Sequence, residues 1–121
     1  MKDKTGTLHT NNYGDYPIVF NLNVLEEIQE KYGSVSEWGK VVETADSDGV
    51  PKISDLKEGL LSMINEGIDI KNETAEQKQK FISLKQVGRI ITDAGLENAI
   101  KAIKDLTISS TSDPNVEGKN E

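Results

Sequence analysis

Apolar residues recur at three- and four-residue spacing through most of this chain, but not in its first 17 residues. That opening segment is polar and rich in turn formers, densest at Asn11-Asn12-Tyr13-Gly14-Asp15-Tyr16-Pro17. Ile18-Val19-Phe20 follows as a short β-prone run. Two readings fit the segment: a hairpin pairing Thr7-Leu8-His9-Thr10 with Ile18-Val19-Phe20, or flexible coil.

From there the period is helical. Asn23-Val24-Leu25-Glu26 reads as a capping box, with Leu25, Ile28 and Tyr32 on one face and Gly33 as the stop. A second box, Ser34-Val35-Ser36-Glu37, opens a helix with Val35, Trp38 and Val42 inward, so the two helices should meet at a corner. Thr44 to Pro51 is a loop by composition. Ser54 or Asp55 can cap a third helix carrying Leu56, Leu60, Met63 and Ile64 and stopping at Gly67. Ile68 to Lys80 is charged and reads as a connection or a solvated turn. A third box, Ser83-Leu84-Lys85-Gln86, starts a helix with Leu84, Val87, Ile91 and Ala94 on one face, closed by Gly95. Leu96, Ile100, Ile103 and Leu106 mark the last helix, and from Thr107 the chain turns polar.

The pattern predicts a mainly α protein, a compact bundle of about five short helices with the option of an N-terminal β-hairpin. The expected organisation is a flexible or hairpin segment at 1–17, a single helical domain at 18–108 and a disordered tail at 109–121. Helices of two or three turns are marginal alone in water, so their apolar stripes must pack on one another.

Composition narrows the function. The chain has 121 residues, 35% of them apolar and 5% aromatic, which suits one small aliphatic core. It has no cysteine, which removes disulfides, thiolate zinc sites and cysteine nucleophiles together. No apolar run approaches the roughly 18 residues that span a bilayer, and Met1 to Thr7 lacks the pattern of a secretory signal. A cytoplasmic location is expected. The net charge is -7, and Arg89 is the only arginine. Phosphate backbones repel such a surface, which disfavours a nucleic-acid partner.

Little in the chain suggests catalysis. His9 is the single histidine and stands among Thr and Asn, without a positioned partner. Asp46-Ser47-Asp48-Gly49 echoes a calcium loop, but Thr44 and Asp55 occupy key ligand positions wrongly, so an acidic turn is the better reading. Asn72-Glu73-Thr74 matches a glycosylation acceptor that has no meaning without secretion. Ser34 and Ser83 are explained as helix caps. No cofactor and no metal are expected.

Two apolar features bear on binding. Gly39, Gly59 and Gly88 lie inside predicted helices, where close helix crossing is the simplest account and a bend the alternative. Leu61 lies at the edge of the stripe of Leu56, Leu60, Met63 and Ile64, widening that face. Either this helix is buried on two sides, or Leu60, Leu61, Met63 and Ile64 form a partner-binding groove with adaptable Met63.

Three stretches, Asn23 to Trp38, Asp55 to Glu66 and Leu84 to Leu106, together resemble the tail assembly chaperones of long-tailed bacteriophages and prophages of Gram-positive hosts. The likeness lies in helix and break order: the Tyr32-Gly33 break, the central helix, and Gln86-Val87-Gly88-Arg89-Ile90-Ile91 before Gly95. It implies a small, acidic, helical, non-catalytic protein of the bacterial host cytoplasm. Such a protein binds the tape-measure protein and helps tail-tube subunits assemble. The competing reading is a prophage helix-turn-helix regulator, suggested by the short helices around Gly33 and Gly95. Its recognition helix would have only Lys85 and Arg89 to offer DNA.

Overall fold

Lys4–His9 (β1) and Asp15–Phe20 (β2) pair antiparallel in a computed structural model that describes residues 3–44 and 52–111. The register sets Lys4 opposite Phe20 and Leu8 opposite Tyr16. The hairpin alternative is therefore the right one, and it is longer than expected. At the turn, the Thr10 hydroxyl donates to the Gly14 carbonyl (2.5 Å), and the Tyr13 amide donates to Thr10 Oγ1 (3.0 Å). Side chains alternate across β1: Leu8 is buried, whereas Thr5, Thr7 and His9 face solvent. Leu8, Ile18 and Phe20 join the main core, so the hairpin is part of the domain, and the boundary expected after residue 17 falls inside β2.

β2 runs almost directly into Leu22–Tyr32 (α1), which moves the helix start ahead of the predicted cap. Asn21 is the extended N-cap, and its side-chain oxygen accepts from the Asn23 and Val24 amides at 3.1 and 3.2 Å. Val24 and Ile28 become the buried pair, with Leu25 and Tyr32 flanking them. Gly33, at φ 89°, ends the helix, and Val35–Thr44 (α2) follows with the Glu37 amide donating to Ser34 Oγ at 3.0 Å. Trp38 is buried as expected; the Val42 side chain, the Asp46-Ser47-Asp48-Gly49 turn and residues 112–121 lie outside the described residues.

Ile53–Asn72 (α3) corrects the sequence reading at both ends. No side chain caps its start, because Asp55 is engaged with Tyr32 instead. Nor does the helix stop at Gly67. A β-carbon there would lie 3.0 Å from Pro17 Cβ and 3.1 Å from the Pro17 carbonyl oxygen, so this glycine lets α3 cross close over β2. Ile68 is consequently buried rather than part of a solvated connection.

Leu84–Ala94 (α4) starts with the expected box. The Ser83 amide donates to Gln86 Oε1 (2.8 Å), and the Gln86 amide donates to Ser83 Oγ (3.2 Å). Its inner stripe is Val87, Ile90 and Ile91, while Leu84, the first helical residue, stays exposed. Leu96–Thr111 (α5) follows Gly95 and buries Ala99, Ile100, Ile103 and Leu106, with Leu96 again exposed at the first position. The helix continues past Thr107, whose hydroxyl donates back to the Ile103 carbonyl (2.9 Å).

α3 is the central element. It lies against β2 and touches α1, α2 and α4, while α5 covers β1. The mainly helical class with an N-terminal hairpin is thus what the chain adopts. Among the described residues, no helix is long and apolar enough to cross a membrane.

Candidate functional site

Leu60, Met63 and Ile64 do not form a partner-binding surface: all three are fully buried. Their helix is packed by β2 on one side and by α1, α2 and α4 on others, so the wide apolar face is the mark of a helix buried on more than one side. Of the four expected residues only Leu61 reaches the surface, half-buried at the edge of a groove.

That groove, about 510 Å³, runs between α1 and α3. Val24, Ile28 and Gly59 contribute buried surface, Leu61 contributes a half-open apolar patch, and Phe81 lines it while remaining 56% exposed. With Leu61, this ring leaves apolar surface open to solvent inside the groove.

Phe81 is held there by two asparagines. Asn65 and Asn72 sit two helical turns apart on one face of α3. Asn65 Nδ2 donates to the Ile82 carbonyl (3.1 Å) and Asn65 Oδ1 accepts from the Ile82 amide (2.9 Å). Asn72 repeats the arrangement on Gln79, with both bonds at 2.9 Å. Each side-chain amide acts as a neighbouring strand would, matching one donor and one acceptor of a peptide. Lys78 Nζ adds bonds to the carbonyls of Asn72 and Ala75. The segment before α4 is strapped along α3 on both sides of Phe81.

The rim is acidic. Glu27, Glu30, Glu58, Glu66 and Asp69 line the groove, and Lys31, its only base among the described residues, forms an ion pair with Glu58. Glu66 Oε2 accepts from Asn21 Nδ2 (2.8 Å) and Asn23 Nδ2 (3.0 Å), and Ser62 donates to Glu27. At the α1 end, Tyr32 donates to Asp55 Oδ1 (3.0 Å). Burial first, then the hydrogen bond to Asp55 and its charge, push the Tyr32 phenol up to about 12.

Glu27, Glu58 and Glu66 are thereby tied to neutral donors and to one lysine. Among the described residues, no three His, Cys, Asp or Glu side chains converge as a metal site requires. His9 stands elsewhere, exposed at the end of β1 with Nδ1 2.9 Å from Asp15 Oδ1. Lys85 and Arg89 are exposed on α4. The helical glycines divide. Gly59 packs against Trp38, Gly88 meets only the tip of Lys57, and Gly39 faces open space.

Phe81, Asn65 and Asn72 were not visible as a set in the sequence. The available signal was a lone aromatic, Lys80-Phe81-Ile82, directly after a long polar run. No protein-family model, no curated protein and no solved structure matches this chain.

Proposed function

We propose that this chain is a non-catalytic protein-binding module of the phage tail assembly chaperone kind, and that the α1–α3 groove receives an apolar helical stripe of its client. The observation that carries the reading is Phe81, half-exposed beside Leu61 in an acidic-rimmed groove. A helix-in-groove contact needs such an apolar floor, and the rim carboxylates favour a client whose stripe is flanked by Lys or Arg. The net charge of -7 supports the same role by keeping a complex soluble and away from nucleic acid. By the resemblance in helix order, the client is the tape-measure protein, with tail-tube subunits as the assembling partner. The regulator alternative has less support, since Lys85 and Arg89 are the only cations α4 presents.

Co-expression with the long helical client is the test. It should give a soluble complex that Phe81→Ser and Leu61→Ser each weaken. A client left insoluble and unbound, or a complex indifferent to both substitutions, rules the proposal out.

A further inference from the structure

The backbone of β1 is unpaired along one side. Antiparallel ladders alternate hydrogen-bonded with open pairs. The Thr10 amide donates to the Gly14 carbonyl (3.2 Å), so counting back from that pair, Leu8 with Tyr16 and Gly6 with Ile18 exchange bonds. Thr5 with Val19, Thr7 with Pro17 and His9 with Asp15 do not. Pro17 agrees with this parity, having no N–H to offer. The N–H and C=O groups of Thr5, Thr7 and His9 therefore point away from β2, and they have no hydrogen-bond partner among the described residues.

The two outer edges of the sheet differ. On β2, Pro17 removes a donor at mid-strand, and α3 lies against the strand. On β1 there is no proline, and the solvent-facing side chains are Thr5, Thr7 and His9. Of the usual devices against edge pairing, β1 has only the terminal Lys4, and α5 lies under its Gly6–Leu8 face.

We infer that β1 is a self-association edge, pairing antiparallel with β1 of a second copy about a two-fold axis at Thr7. Two hairpins then form one four-stranded sheet. Thr7 faces Thr7, Thr5 faces His9 and Gly6 faces Leu8. The Thr7 pair and the Thr5–His9 pairs exchange two backbone bonds each. Threonine pairs suit this cross-strand position, and no like charges stand opposite one another. A groove of about 540 Å³ runs beside the strand, lined by Gly6, Leu8, Asn98 and Ala102, and leaves room on the buried face. Charge selects the occupant. A surface of net charge -7 repels copies of itself, but Lys4–His9 contains no carboxylate. Asp105, which lines the groove beside it, is paired with Lys101 at 3.4 Å, so two copies can approach there. The contact is isologous and closes on itself. Six-residue strands bury less than the roughly 1,000 Å² of a lasting interface, so the dimer is concentration-dependent.

Sedimentation of the full chain from tens of micromolar to about 1 mM should show the mass rising towards twice that of one chain. Thr7→Pro should hold it at one chain with unchanged circular dichroism, because the Thr7 amide makes no internal bond. Thr7→Lys, which places two cations face to face, should weaken association at low salt and recover with added salt. Phe81→Ser should leave the dimer intact, which separates this edge from the α1–α3 groove. A single-chain mass at every concentration, a Thr7→Pro dimer as strong as the parent's, or dispersal by Phe81→Ser would overturn the inference.

Discussion

Trp38 lies across the backbone of Gly59, so a β-carbon at that position would fall 2.6 Å from indole Cε2 and 2.9 Å from Nε1. The same indole donates to the Asp55 carbonyl (3.1 Å), one helical turn earlier on α3. Position 59 thus sets how closely α2 approaches α3. Gly59→Ala should destabilise the fold by about 1–3 kcal/mol through overpacking, outweighing the roughly 1 kcal/mol of helix propensity gained. Gly39→Ala meets no atom within 4 Å and should stabilise by about 0.5–1 kcal/mol. Urea unfolding followed by the fluorescence of Trp38, the only tryptophan, should show midpoints moving in opposite directions. Equal shifts would mean that the crossing is not tight.

Tyr32 ties stability to alkaline pH. Its phenol is raised from 10.0 to about 12, so the folded state holds this proton more tightly than the unfolded chain does. The contribution is complete below pH 10 and lost as pH rises through about 12. In an absorbance titration one of the three tyrosines should ionise only near pH 12, and Tyr32→Phe should remove that late step. A late step that survives the substitution belongs to another phenol.

The parts of this fold that could be read from the sequence depend on neighbours along the chain. The Ser83–Gln86 box and the Gly33 and Gly95 stops each act within one helical turn, and each stands where the residues indicate. Gly67 resembles a helix stop in the sequence because the residue that requires it, Pro17, is on a strand fifty residues earlier. The stripe of Leu60, Met63 and Ile64 was correctly apolar, but only the placement of β2 and α1 decides whether such a stripe is core or surface. The groove was hidden for a similar reason. Phe81 is presented by Asn65, which acts across seventeen residues, and the spacing of apolar positions contains no record of that bond.

Asn65→Ala tests the strap directly. It leaves both the amide and the carbonyl of Ile82 without their partner, at a cost of about 1–2 kcal/mol for groups that are partly wet. Asn65→Asp keeps the acceptor and loses the donor, so it should fall between the parent and the alanine variant. Limited proteolysis between residues 73 and 83 should accelerate in the order parent, Asp, Ala. Identical cleavage rates in all three would show that Asn72 alone holds the segment.

Asp93 holds the hairpin tip to the end of α4. Its carboxylate accepts from the amides of Asn11 (2.7 Å) and Asn12 (2.6 Å) and from Asn12 Nδ2 (2.6 Å), while its carbonyl accepts from Asn11 Nδ2 (3.0 Å). An acid in the last turn of a helix opposes the helix dipole, so these donors compensate a charge the helix itself disfavours. The Asn12 amide above all, against some opposing desolvation, holds the carboxyl below its ordinary value of 3.8. A depressed pKa means that the tie is fully present above the unfolded value and is lost as pH falls through the lower, folded one. Hydrogen exchange should therefore show the Asn11 and Asn12 amides protected at neutral pH, exposed in Asp93→Ala, and released in the parent only at pH below 3.8. Release at the ordinary carboxylate pKa would mean that the hairpin tip is held by something other than this charge.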